Sequence, residues 1–342
     1  MSALVASLRE RAAQLEQPGG VTREVVAELA ADGLLGVYGP DAPSPAEQRR
    51  VAEDVAGASP DAWFVWFQHG PVVMSLVSTD NAALADAHLA DLCAGRAQGG
   101  VAWSNLRTSR PTVTAERVDG GWLLDGPQPW CTGLPLLDLV MVGGLARESG
   151  QVVFGVLTAD VLTSTGPLHL ASMAGTSTHA VRYDRVLLPD ERVVRVAPYD
   201  AWSAHDRAGN ANVQPSTFGV ALAALDLVDE PGLRDHVLEV RERAYHLLDH
   251  VERTERVPER LELRARALTL ATTCALAAVT AAGGRGMGLD HPAQRLLRAA
   301  AFQVVHSQDA EVRAATLAAL TGTALTGTAL TGTALTGTAR VS

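Results

Sequence analysis

The hydrophobic period of this chain changes twice, and that change limits what it can fold into. Over residues 1–98 apolar side chains recur at three- and four-residue steps, the signature of helices. From Gly99 they fall into short β-branched runs bounded by Gly and Pro, and from about residue 213 the helical step returns. The order predicts an α+β chain. It has an N-terminal helical domain over 1–98, a middle β domain over 99–198, a C-terminal four-helix-bundle-like domain over 199–318, and a tail over 319–342. The middle part, with its Gly/Pro turns, predicts a small barrel or sandwich.

Within the first part Thr22 is a candidate N-cap and Gly33 a helix stop. A loop over 36–45 precedes a helix over 46–58. Asp61 is expected to cap the apolar run 62–77, which holds Trp63, Phe64, Trp66 and Phe67; a helix over 81–92 closes the part. In the middle part, strands are expected over 101–105, 112–118, 139–143, 152–157 and 180–188, the last ended by Pro189. Asp119-Gly120-Gly121 marks a hairpin between Val118 and Trp122. The last part predicts helices over 214–228, 233–251, 256–282, 292–306 and 309–320, with a break at Gly283, Gly284, Gly286 and Gly288. Its most apolar stretch, 267–282, is interrupted by threonines and short of the ~20 residues a bilayer needs, so it reads as a core helix. Four copies of Ala-Leu-Thr-Gly-Thr fill 319–338. A five-residue step advances ~140° around a helix, so their leucines form no stripe, and the tail is expected to be mobile.

Composition excludes several chemistries. The 342 residues contain neither lysine nor isoleucine, and all 28 basic residues are arginine. That rules out a lysine Schiff base and a phosphate loop ending in GK[ST]. A formal net charge of -10 argues against nucleic-acid binding. Cys93, Cys131 and Cys274 are isolated, so neither a disulfide framework nor a zinc site is indicated. Charged residues inside the first helix distinguish it from a signal peptide. A cytoplasmic setting without membrane attachment is expected. Gly283-Gly284-Arg285-Gly286 follows a helix, not a strand, and is no dinucleotide fingerprint; no G-x-S-x-G elbow occurs.

Four stretches, in order, resemble the acyl-CoA dehydrogenase superfamily across most of residues 20–315. They are Val101-Ala102-Trp103-Ser104-Asn105; Gly120-Gly121-Trp122 through Trp130-Cys131-Thr132-Gly133; Met173-Ala174-Gly175-Thr176-Ser177-Thr178 with Val186-Leu187-Leu188-Pro189; and Gly283-Gly284 with Asp290 through Arg298. The resemblance implies a flavin, FAD with FMN as the alternative, between the β part and the C-terminal helices. By motif, Ser104, Trp130, Thr132 and Gly133 would lie along the flavin ring. Gly283 and Gly284 would let a partner subunit's cofactor approach closely. It also implies a homodimer or homotetramer, an acyl thioester on coenzyme A or a carrier protein as substrate, and an electron-acceptor protein or flavin reductase as partner.

The chain departs from the family pattern at the base that removes a substrate proton. Counting nine from Arg298, where the family has glutamate, gives Ser307. Asp309 and Glu311 follow it, and each also suits a helix start. His69 and His306 are the remaining candidates, since imidazole titrates near neutrality. The family's R-x-x-F-G clamp is missing; the region reads Arg241-Glu242-Arg243, expected to be a solvated face. Three readings stand: α,β-dehydrogenation of an acyl thioester, a flavin-dependent monooxygenase of the same fold using reduced flavin and O2, and a catalytically silent flavin- or acyl-binding homologue.

Overall fold

The computed structural model describes residues 1–323; most of the repeat tail lies outside them. The first stretch is helical: α1 Ser2–Glu10, α2 Ala12–Leu15, α3 Arg23–Ala31, α4 Pro45–Ala58, α5 Pro60–Val77 and α6 Ala82–Cys93. Gly33 ends α3 in the left-handed region, at φ 75°. Ser44 caps α4 with a full capping box to Glu47. The cap of α5 is Ser59, whose side chain accepts from the Ala62 amide, and not Asp61. Asp61 sits one residue inside the helix behind Pro60, and its buried carboxylate is directed elsewhere.

Eight strands follow: β1 Gly99–Ala102, β2 Thr114–Val118, β3 Gly121–Cys131, β4 Leu139–Ala146, β5 Gln151–Thr158, β6 Thr163–Pro167, β7 His179–Pro189 and β8 Val193–Pro198. They form one mixed sheet in the order β6-β7-β3-β2-β4-β5-β8, with β1 parallel to β4. The sheet curls without closing. Strands β5 and β7, four places apart in that order, meet where Leu188 packs on Gly155, so closely that a Cβ there would stand 2.3 Å from the leucine. Side chains alternate along β4: Val140 and Val142 face the inside of the curl, while Leu139 and Met141 face α5 and α6. The hairpin between β2 and β3 turns at Asp119-Gly120, with Gly120 at φ 79°.

The C-terminal helices are α7 Tyr199–Asn210, α8 Pro215–Leu225, α9 Pro231–His250, α10 Val257–Ala282, α11 Pro292–Val305 and α12 Ala310–Thr321. Helix α10 is long and apolar enough to cross a membrane by length and composition. Here it is the spine of the bundle, with Ala267, Ala271, Cys274, Ala275 and Ala278 buried against α8, α9 and α11. Arg241 is not left on a solvated face: it pairs with the buried Glu53 of α4 at 2.8 Å, while Arg243 pairs with Glu259.

Candidate functional site

The site starts from an irregularity in β3. Alternation would point Trp130 inward with Trp122, Leu124 and Gln128. Between Gln128 and Cys131, however, the register against β7 shifts: Gln128 faces Val181 and Cys131 faces His179, three steps against two. The bulge sends Cys131 into the core and turns Trp130 outward, where 49% of it is exposed. Gly133 ends the strand at φ 72°, a conformation costly for any side-chain-bearing residue.

Buried polar groups hold this turn. Gln128, fully buried, donates from Nε2 to Ser104 Oγ (2.8 Å) and to the Trp130 carbonyl (2.7 Å), and its Oε1 accepts from the Asn105 amide (3.0 Å). It thereby rivets the short 3-10 turn Ser104–Arg107 to the outward tryptophan. Beneath, the hydroxyls of Thr176, Thr178 and Thr132 form a chain (2.8 and 3.1 Å), and the Gly133 amide donates to the Thr176 carbonyl at 2.9 Å. Thr132 accepts from Thr178, which leaves its own proton free.

The segment carrying Thr176 is strained, with Met173 at φ 60° and Ser177 at φ 48°. It is latched by Asp61, whose Oδ1 accepts from the Gly175 amide at 2.9 Å. Gly175 is obligatory there, since a Cβ would stand 1.8 Å from the Leu15 carbonyl oxygen. Burial and the nearby Glu16 carboxylate push the Asp61 carboxyl up to about 7, against the weaker pull of Arg298 and Arg295.

The corner between α11 and α12 carries the other candidates. His306 is buried in a box of aromatic rings, with centroids of Trp63, Phe64, Phe67 and Phe302 at 5.5, 5.2, 5.2 and 5.2 Å. Burial, with the cations of Arg264 and Arg107, holds its imidazole down to about 3. It is therefore neutral at physiological pH and a weak base. Ser307 takes φ 49° at the corner. Asp309 caps α12, its Oδ1 accepting from the Val312 amide at 2.9 Å, while Oδ2 is buried without a partner. Glu311 approaches Arg207 of α7 at 4.0 Å.

The corner is braced by Arg264 of α10, a buried guanidinium that donates to the carbonyls of Asn210 and His306, the latter at 2.6 Å. One turn earlier, Arg260 binds Asn212 Oδ1 at 2.5 Å and the carbonyls of Val251 and Glu252. Arg107, three residues past Ser104, stacks on Trp103 at 4.7 Å and pairs with Asp206 at 2.8 Å. Its cation also adds to the lowering of His306 and Arg264. His69 lies elsewhere: it is 1% exposed, its Nδ1 accepts from the Gly99 amide at 3.0 Å, and burial holds it down to about 4. Gly283 and Gly284 stand exposed at the end of α10, with open space where side chains would be.

A flavin ring asks for a flat apolar wall and hydrogen-bond donors at its edge. Trp130, turned out by the bulge, supplies the wall, and the free protons of Ser104 and Thr132 supply donors. The residues present fit the group. Gln128, Asp61 and Arg264 were not singled out as site residues in the sequence. Only Gln128 leaves a local trace there, as a polar residue at an inward strand position.

No family model matches the chain. It is 28% identical over 119 residues to a benzylmalonyl-CoA dehydrogenase of Aromatoleum aromaticum, covering 33% of this chain and 31% of that protein. It is 26% identical over 158 residues to the mitochondrial isovaleryl-CoA dehydrogenase of Arabidopsis thaliana, covering 42% and 37%. The matches thus span about a third of the length of these curated relatives. Among solved structures, a putative acyl-CoA dehydrogenase of Mycobacterium smegmatis superposes with a TM-score of 0.78 at 18% identity, over 94% of this chain and 97% of that one.

Proposed function

We propose that the chain, whose fold and matched stretches are similar to those of the acyl-CoA dehydrogenase superfamily, is a flavin-dependent oxidoreductase acting on an acyl thioester. The observation that carries this is the outward Trp130, whose carbonyl a buried glutamine ties to the Ser104 hydroxyl, with the Thr132 hydroxyl two residues on. When bound, FAD or FMN would supply the acceptor for a hydride. The chain's own residues do the rest. Trp130 would cover one side of the ring, the Ser104 and Thr132 hydroxyls would address its edge, and the aromatic box around His306 would keep water from the site. Oδ2 of Asp309, the unpartnered carboxylate oxygen at the corner, receives the substrate proton. Ser307 has no basic group, and His306 is held too far below neutrality for the task.

Anaerobic addition of an acyl-CoA panel to the purified flavin-loaded protein is expected to bleach the flavin, and Asp309→Asn to slow bleaching by 10²-fold or more, on the order general-base loss produces. An Asp309→Asn variant that bleaches at the wild-type rate removes the aspartate from the mechanism. The neutral His306 favours a second reading, oxygen-dependent hydroxylation, which needs no such base. Product formed only with reduced flavin and O2, and no bleaching by any thioester, selects it. A protein that takes up neither FAD nor FMN would be the silent homologue. The proposal includes a cytoplasmic homo-oligomer, with a second copy over the exposed Leu276, Met287 and Leu289 beside Gly283 and Gly284.

A further inference from the structure

A slot of about 100 Å³ lies between α4, α5 and the start of α8, bordered by Tyr38, Gln48, Arg49, Trp63, Phe67 and Gln214. Two of its wall residues carry buried N–H groups without a partner, Arg49 Nε and Trp63 Nε1. Trp63 is only 1% exposed. A buried unpaired donor costs about 1–3 kcal/mol, and nearly all such groups in folded proteins are paired. Two of them on one small cavity point to an acceptor that comes from outside the chain.

The geometry and charge narrow the acceptor. Arg49 meets Asp249 end-on, through Nη1 at 2.9 Å and Nη2 at 2.8 Å, and stacks 4.6 Å over the Tyr245 ring. That pairing fixes the guanidinium plane and leaves its Nε edge unused. Asp249 also matches the charge of Arg49, and Glu53 matches that of the neighbouring Arg241. Among the described residues bordering the slot no cation is left unmatched to offset an anion, so a neutral oxygen suits the slot better than a carboxylate. The volume is smaller than the ~150 Å³ cavity that holds benzene and well under the ~300 Å³ of the smallest drug-sized pockets. Rings of Tyr38, Trp63 and Phe67 make the walls flat.

We propose that this slot binds a small, planar, neutral carbonyl group, such as an amide, ketone or ester, through the N–H groups of Arg49 and Trp63. Trp63 and Phe67 are also walls of the box around His306, so the occupant adjoins the candidate site. If the redox reading holds, and this step alone rests on it, the substrate is a short acyl thioester with a second carbonyl, not a fatty chain.

The test uses acetamide and acetate, alike in shape and different in charge, titrated into the full-length ¹⁵N-labelled protein as purified. The Trp63 indole N–H resonance, identified by its loss in Trp63→Phe, is expected to shift saturably with acetamide and less with acetate. Arg49→Lys, which keeps the charge facing Asp249 but lacks a guanidinium edge, is expected to weaken acetamide tenfold or more. No shift with either probe overturns the site; tighter acetate overturns the neutral assignment; an unchanged response in Arg49→Lys overturns the two-donor arrangement. The titration does not depend on turnover. Intact acetamide binding with no bleaching by any acyl-CoA therefore sinks the thioester-dehydrogenation reading and leaves the slot standing.

Discussion

Asp61 shows how far a single side chain reaches in this fold. Read locally, an aspartate beside Pro60 at a helix start is a cap. In the structure Ser59 takes that role, and Asp61 answers an amide 114 residues away. Nothing in the local sequence marks such a partner. The pH dependence follows from its burial. The carboxyl stands at 3.8 when exposed and about 7 when folded, with Glu16, Arg295 and Arg298 facing it. A raised acid binds more protons folded than unfolded, so its contribution is complete below about 4 and is lost as pH rises to about 7. His69 and His306 run the other way: folded values of about 4 and 3 against 6.5 mean that stability rises with pH up to about 6.5. Asp61→Asn removes the opposing contribution. Its Tm relative to the parent is therefore expected to be more favourable at pH 8 than at pH 4; a difference that stays constant across that range would refute the assignment. The motif names Trp130 and Ser104 but carries no trace of the outward turn of Trp130. A strict two-residue alternation buries it, and only pairing with β7 reveals the extra residue.

Among the elements, the long apolar ones were the most legible. Helices α4, α5, α10 and α11 fall within a residue or two of their expected spans. Helix α7 and strands β6 and β8 were missed. Helix α7 is polar along much of its length and offers a weak apolar stripe, and β6 reads Thr-Ser-Thr-Gly-Pro, an exposed edge with turn residues. Helix α10 carries a feature its apolar composition hides. Arg260 and Arg264, one turn apart, are buried cations whose hydrogen bonds go mainly to carbonyls at the ends of neighbouring helices. Arg264 fastens the corner that bears Ser307 and Asp309, and Arg260 the turn after α9. Replacing Arg264 by Met, of similar length, leaves the Asn210 and His306 carbonyls without their donor. It is expected to cost about 2–4 kcal/mol in chemical denaturation. A loss under about 0.5 kcal/mol, the usual size at a neutral surface position, would show that the corner stands without its brace.

On the scale of the whole molecule, three core clusters in the helices and the sheet account for the α-β-α order read from periodicity. The sheet's failure to close was not legible, because closure depends on which strands end up at the edges. Apolar side chains remain uncovered at the end of α10, with Met287 68% and Leu289 72% exposed. Light scattering on the purified chain is expected to give a dimer or tetramer, and Met287→Glu with Leu289→Glu to shift it toward monomer. A parent chain that is monomeric at micromolar concentration would remove the oligomer from the proposal.

The hook from α5 to Gly175 sets a limit on how this chain can be dissected or recombined. An amide on a contorted loop of the sheet is satisfied only by an acid contributed from the opening helices. Excised alone, the sheet would lose the tether that shapes its most exposed tryptophan turn. Grafting the sheet onto foreign helices would meet the same obstacle unless the graft carried that acid with it.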